Sequence, residues 1–229
     1  SPWATHSKHN DHSMKSYVIF DLDGTLLNSI DDLATATNHA LETLGYPKHG
    51  LWVYPGMVGN GVTKLLERAL PEDARDEANV ARMRQAFTAY YDEHCCDATR
   101  PYQGIPELLD ELTKRGFNLA VTSNKYEAAV VKLIRHFFPD ANWRAVLGHV
   151  EGIPTKPDPS IVFKALSLCP TPKSECLYVG DSAVDIETAR RACVESVGVS
   201  WGFRTILELK EACADHIISM PNQLLNFIG

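Results

Sequence analysis

Two aspartates one residue apart, Asp21 and Asp23, lie in the segment Asp21-Leu22-Asp23-Gly24-Thr25, directly after the apolar run Tyr17–Phe20. Carboxylates held that close repel each other by about 1 to 4 kcal/mol at roughly 4 Å, depending on the local dielectric. A cation is therefore expected beside them. A hard, oxygen-seeking ion such as Mg²⁺ suits, because it binds one or two carboxylates and completes its shell with water and substrate phosphate. Taken alone, Asp-x-Asp-Gly equally describes a hydrophilic turn that closes a strand.

Three further segments shift that balance. Thr122-Ser123-Asn124-Lys125 follows Phe117-Asn118-Leu119-Ala120-Val121; a hydroxyl there, with the N–H groups that open the next helix, can bind phosphate. Ser123 by itself also reads as an ordinary helix cap. Lys156 sits among Pro154, Pro157 and Pro159, which stiffen its loop, although most lysines are solvated surface charges. Gly180-Asp181-Ser182-Ala183-Val184-Asp185 offers Asp181 as a third metal-site carboxylate and Asp185 in support, with helix capping as the alternative role. A carboxylate pair, a hydroxyl, a lysine and a second acidic cluster thus follow one another along the chain.

The elements that must position them are legible from periodicity. Tyr17–Phe20 reads as a buried strand, and from Ser29 onward Ile30, Leu33, Ala34, Leu41 and Leu44 keep helical spacing up to Gly45. Residues 46–98 show only helical faces: Val62, Leu65, Leu66, Ala69 and Leu70 before Pro71, then Val80, Met83, Phe87, Tyr90 and Tyr91. The second stripe reads as packing rather than as a cofactor box. Beyond Pro101, Gly104 and Pro106 the pattern alternates, with helices at 106–115, 126–136, 159–168 and 183–192 and strands at 117–122, 144–147, 176–180, 196–200 and 215–218. Such alternation predicts a doubly wound α/β fold, a parallel sheet with helices on both faces, whose strand ends carry the ligand site. The all-helical stretch is then an insertion, giving a core at 15–28 and 99–229 and a helical cap domain at 29–98.

Composition narrows the function classes. The 229 residues are 45% apolar and 22% charged, ordinary globular values. A net charge of −7 repels nucleic acid and anionic membranes at long range. No run approaches the roughly 18 apolar residues of a membrane span. Residues 1–14 read as a disordered leader, in which His6, His9 and His12 belong to a polar tail rather than a metal site. The six cysteines, Cys95, Cys96, Cys169, Cys176, Cys193 and Cys213, show neither Cys-x-x-Cys spacing nor a disulfide framework, which suits a cytoplasmic location.

The four segments resemble, in order, the four signature motifs of the haloacid dehalogenase superfamily of hydrolases, a resemblance covering residues 15–225 and including a helical cap after the first motif. Within that superfamily, Gly56–Gly61 running into Leu65–Leu70, the Ser123-Asn124-Lys125 triplet and Val199–Phe203 are similar to the corresponding segments of phosphoglycolate phosphatases. The resemblance implies a Rossmann-like core and a Mg²⁺-dependent phosphatase. Asp21 would be its nucleophile, forming an aspartyl-phosphate, and Asp23 its acid and base. Ser123 and Lys156 would hold the transferring oxygens. Metal ligands would be Asp21, the Asp23 carbonyl and Asp181, with Asp185 in support. Gly24, Thr25 and Asn124 would complete the substrate pocket. The turn Gly59-Asn60-Gly61 would read the leaving group, although it also describes a plain interhelical turn. Crossings near Asn28–Ser29 and 101–104 would be hinges.

The substrate expected is a small phosphorylated metabolite, first 2-phosphoglycolate, handled by a monomer or homodimer. Pyrophosphatase, sugar-phosphate phosphatase, nucleotidase and β-phosphoglucomutase activities are near rivals. A signalling receiver domain also combines a phosphorylated aspartate, Mg²⁺, a hydroxyl and a lysine, but it has no cap and no counterpart of Asp23.

Overall fold

Four consecutive apolar residues form β1 (Tyr17–Phe20), every side chain of which is buried, as a strand covered on both faces requires. The computed structural model describes residues 14–229, so the polar leader and its three histidines lie outside the described residues. After β1 come β2 (Leu27–Asn28), α1 (Ile30–Leu44), α2 (Val62–Ala69), α3 (Glu77–His94) and β3 (Arg100–Pro101). Then follow α4 (Ile105–Lys114), β4 (Asn118–Tyr126), α5 (Glu127–Phe137), β5 (Trp143–His149), α6 (Ser160–Leu168), β6 (Cys176–Gly180), α7 (Ala183–Ala192), β7 (Glu195–Val199), α8 (Ile206–Glu211) and β8 (His216–Ile218).

Six strands make one parallel sheet in the order β5-β4-β1-β6-β7-β8. Because β1 pairs with β4 on one side and β6 on the other, the chain reverses its direction of winding at β1. That reversal opens a crevice beyond the carboxyl ends of those three strands. Strand alternation divides the core. Val18 and Phe20 face one apolar cluster with α4, α5 and the helices of residues 29–98, while Tyr17 and Ile19 face another with α6 and α7.

The segment between β2 and β3 is helical throughout its regular structure, as expected, with short 3-10 turns at Leu51–Gly56 and Glu72–Ala74. At its base β2 and β3 pair antiparallel, Leu27 with Pro101 and Asn28 with Arg100. Buried Asp32 ties departing chain to returning chain by accepting from Ala98 N, Thr99 N and Thr99 Oγ1. The apolar cluster runs unbroken from this insertion onto the sheet.

Three local features differ from the periodicity reading. β4 continues to Tyr126, so Ser123, Asn124 and Lys125 are strand residues and the first helical residue of α5 is Glu127. The two-residue ribbon is too short to show a period. Six-residue α8 was not foreseen; it starts where the Thr205 side chain accepts from Glu208 N. All six cysteines are free thiols, and among the described residues no helix is long and apolar enough to cross a membrane.

Candidate active site

Just past β1 the backbone folds into a tight loop in which Leu22 O accepts from the amides of Thr25, Leu26 and Leu27. Gly24 occupies the left-handed region at φ +83°, and a Cβ there would stand 2.2 Å from Asp181 Oδ2. Gly202 is equally confined, since a Cβ on it would meet Gly24 O at 2.2 Å. Only glycine permits these segments to close around Asp181.

Asp21 lies at the centre. Lys156 Nζ donates to Asp21 Oδ1 at 3.0 Å, Asp185 Oδ1 at 2.8 Å, Thr122 O at 3.0 Å and Tyr178 Oη at 3.1 Å. Its side chain is only 2% exposed. One oxygen from each of Asp21, Asp181 and Asp185 lies within 4.8 Å of the others, all three residues being buried. Asp185 takes the capping role: its Oδ2 accepts from Asp181 N and completes the Ser182 capping box of α7, while its Oδ1 accepts from Lys156. Asp181 Oδ2 accepts from Phe203 N at 2.9 Å.

Electrostatics follow from that crowding. Burial, then the Asp185 charge, hold Asp21 well above the usual carboxylate range, with Lys156 opposing. The same two causes push Asp181 up to about 7. Burial works against the Lys156 charge, yet Asp185 and Asp21 overcome it and hold the ammonium above its ordinary value. Ionised together, three carboxylates against one ammonium would leave two negative charges in a buried cluster of carboxylate oxygens. A hard divalent cation fits that donor set and that deficit.

Asp23 meets different neighbours. Its Oδ1 accepts from Ser29 Oγ at 2.5 Å and from Lys125 Nζ at 2.7 Å, whereas its Oδ2 makes no hydrogen bond among the described residues. Lys125 Nζ also donates to the hydroxyl of Tyr91, a fully buried residue of α3, and stands 4.8 Å from the centre of that ring. Ser29, the N-cap residue of α1, makes no side-chain capping bond and turns to Asp23 instead.

These groups line one cavity of about 50 Å³ between the sheet and the insertion, space for a few water-sized groups. Asp21, Asp23, Ser123, Asn124, Lys156, Asp181 and Asp185 reach its wall from the core, and Gly59 and Gly61 reach it from the insertion. The Asn124 carboxamide donates to Gly59 O at 3.0 Å and Lys156 O at 3.1 Å and accepts from Lys156 N at 2.8 Å. Three expected residues stand behind the wall. Gly24 packs on Asp181, Thr25 is buried with its hydroxyl unpartnered, and Asn60 Oδ1 accepts from Arg68 Nη2 at 3.0 Å.

The wall also includes Tyr91, Lys125, Tyr126 and Arg204, which had no assigned role. Lys125 was within reach of sequence reasoning, because it follows Ser123 and Asn124 directly in the second motif. Tyr91 was hidden in a helical stripe that packing fully explains, and Arg204 carries no local pattern.

Comparison with known proteins agrees with this geometry. The family described as haloacid dehalogenase-like hydrolase matches residues 18–199. A phosphoglycolate phosphatase of Pseudomonas syringae pv. tomato is 36% identical over 191 residues, 81% of this chain and 70% of the relative. Another, of Aquifex aeolicus, is 32% identical over 92% of this chain and 95% of its own. The crystal structure of a predicted phosphoglycolate phosphatase from Haemophilus somnus superposes with a TM-score of 0.87 at 28% identity, covering 94% of this chain and 98% of that one. Sheet topology, acidic cluster and sequence likeness thus converge: the chain belongs to the haloacid dehalogenase-like hydrolases and is a phosphatase of that family.

Proposed function

We propose that this phosphatase is Mg²⁺-dependent, that it hydrolyses 2-phosphoglycolate, and that it works through an aspartyl-phosphate on Asp21. One observation carries the reading: two aspartates a single residue apart face the same cavity in opposite company. Asp21 stands with Lys156 and the acidic cluster, Asp23 with Ser29 and Lys125. Paired carboxylates with divergent surroundings are suited to divergent roles.

Asp21, the Asp23 carbonyl and Asp181 would hold Mg²⁺, with Asp185 in support; when bound, the ion supplies positive charge to the phosphoryl oxygens. An Asp21 oxygen attacks phosphorus as the bond to the ester oxygen breaks. Protonated Asp23 gives its proton to that departing oxygen. As a carboxylate it then takes a proton from water, whose oxygen attacks phosphorus and releases inorganic phosphate and free Asp21. The bare Oδ2 of Asp23 suits this exchange, while Oδ1 keeps the side chain in place. Ser123 Oγ and Lys156 Nζ hold the oxygens that are transferred.

The helices of residues 29–98 act as a cap over this chemistry, turning about the β2–β3 ribbon and excluding bulk water. Gly24 and Thr25 support the loop beneath, Asn124 fixes the Lys156 segment, and Gly59 and Gly61 face the leaving group while Asn60 braces their turn through Arg68.

The reading is tested by phosphate release from equal concentrations of 2-phosphoglycolate, pyrophosphate and several sugar phosphates, with Mg²⁺ and with EDTA. 2-Phosphoglycolate should lead, and EDTA should abolish turnover. Preference for a sugar phosphate, or full turnover in EDTA, would overturn it.

A further inference from the structure

Three cations line the cavity, and they differ in what they have left to offer. Lys156 is engaged by four oxygens of its own chain and Lys125 by Asp23 and Tyr91. Arg204, in the loop between β7 and α8, makes one hydrogen bond among the described residues, from Nη2 to Val58 O at 2.7 Å. Its Nη1 stands 3.7 Å from Glu208 Oε1, beyond hydrogen-bond range, and its side chain is 23% exposed. A guanidinium carries five N–H donors in a planar fork matched to a carboxylate, so most of those of Arg204 are uncommitted.

Its position is as telling as its free donors. Val58, whose carbonyl it holds, immediately precedes the Gly59–Gly61 turn, and a Cβ on Gly59 would lie 3.7 Å from Arg204 Nη2. The side chains that residues 29–98 add to the cavity wall are apolar apart from Tyr91: Leu33, Val58, Val62, Leu65 and Phe87. A leaving group that carried its own charge there would need a partner, and Arg204 is the cation with donors to give.

We propose that Arg204 is the specificity-determining residue of this enzyme: it pairs with a carboxylate on the leaving group, selecting phosphorylated 2-hydroxy acids over uncharged phosphate esters of the same size. This rests on the proposed function and deepens it. Because the same guanidinium holds Val58 O, charge recognition and contact with the helical insertion coincide in one side chain.

The test compares kcat/KM for 2-phosphoglycolate and for 2-hydroxyethyl phosphate, whose leaving group is similar in size but neutral, in wild type, Arg204→Gln and Arg204→Lys with Mg²⁺ present. A charge-assisted bidentate contact predicts that Arg204→Gln loses about 30- to 100-fold on 2-phosphoglycolate, chiefly in KM, and under about threefold on the neutral ester. Arg204→Lys should recover part of the loss. Equal losses on both esters would reduce Arg204 to a strut for the Val58 turn and overturn the inference while leaving the proposed function standing. No loss on either would do the same. Wild-type preference for the neutral ester would overturn both.

Discussion

The two ends of the cavity are built on opposite plans. At the phosphoryl end, Asp21, Lys156, Asp181 and Asp185 are buried and linked to one another, set just past β1, in the loop between β5 and α6, just past β6 and in the first turn of α7. At the leaving-group end, Tyr91, Gly59, Gly61, Lys125 and Arg204 come from α3, an interhelical turn, β4 and the loop after β7, so that wall is assembled from parts distant in the chain. The first end is suited to a reaction shared by every phosphate ester, and the second to a choice among them. Substitutions should therefore act differently at the two ends.

The largest effect is expected at the first end. Asp21→Asn should reduce phosphate release by at least about 10⁴-fold on every ester. It also removes a buried charge, so the metal-free fold should melt no lower than wild type. Near-normal turnover in a steady-state assay would break the contrast.

Next comes the response to acid. Asp181 rises from 3.8 to about 7 on folding, so the folded chain binds more protons than the unfolded one between those values. The metal-free protein should then lose stability as pH rises from about 4 through 7, and Mg²⁺ should restore it. Read as metal affinity, a proton competing at that site should weaken Mg²⁺ binding by about 50-fold between pH 7 and pH 5. Calorimetric titration at the two values checks this, and equal affinities would refute the buried-charge account.

A smaller and more selective effect is expected where the ends meet. Tyr91→Phe removes the hydroxyl that holds Lys125, which in turn contacts Asp23. Turnover of alkyl esters, whose alkoxide must be protonated as it departs, should fall by about tenfold. On p-nitrophenyl phosphate, whose leaving group departs without a proton, the change should be slight. Equal losses on both would show Tyr91 to be packing alone. Asn60→Ala should matter least, altering substrate ranking by less than about threefold, since its side chain braces the turn through Arg68.

This division also explains what could be read in advance. Asp21, Asp23, Ser123, Lys156, Asp181 and Asp185 each occur in a short segment next to an apolar strand, so type and spacing betray them. The sheet was legible for the same reason, strand by strand, and the helical insertion by its lack of alternation. Arg204 and Tyr91 owe their places to contacts with residues more than thirty positions away, Val58 and Lys125, and no local pattern records such a contact. The extension of β4 through Tyr126 was concealed because its polar residues point to a site rather than to solvent. Asp32, an ordinary first-turn helix acid by position, is buried only because residues 98 and 99 return to it.

The Asn124 carboxamide has one more consequence. By accepting from Lys156 N and donating to Lys156 O it offers, on a side chain, the pair of bonds that a neighbouring strand would provide, and its remaining donation goes to Gly59 O. A planar amide cannot lengthen or bend to absorb a displacement. It therefore triangulates the lysine loop, β4 and the interhelical turn, so the path of the turn's backbone is fixed while its side chains are not. Redesign of substrate choice at residues flanking Gly59 must therefore leave the carbonyl at 59 where it is.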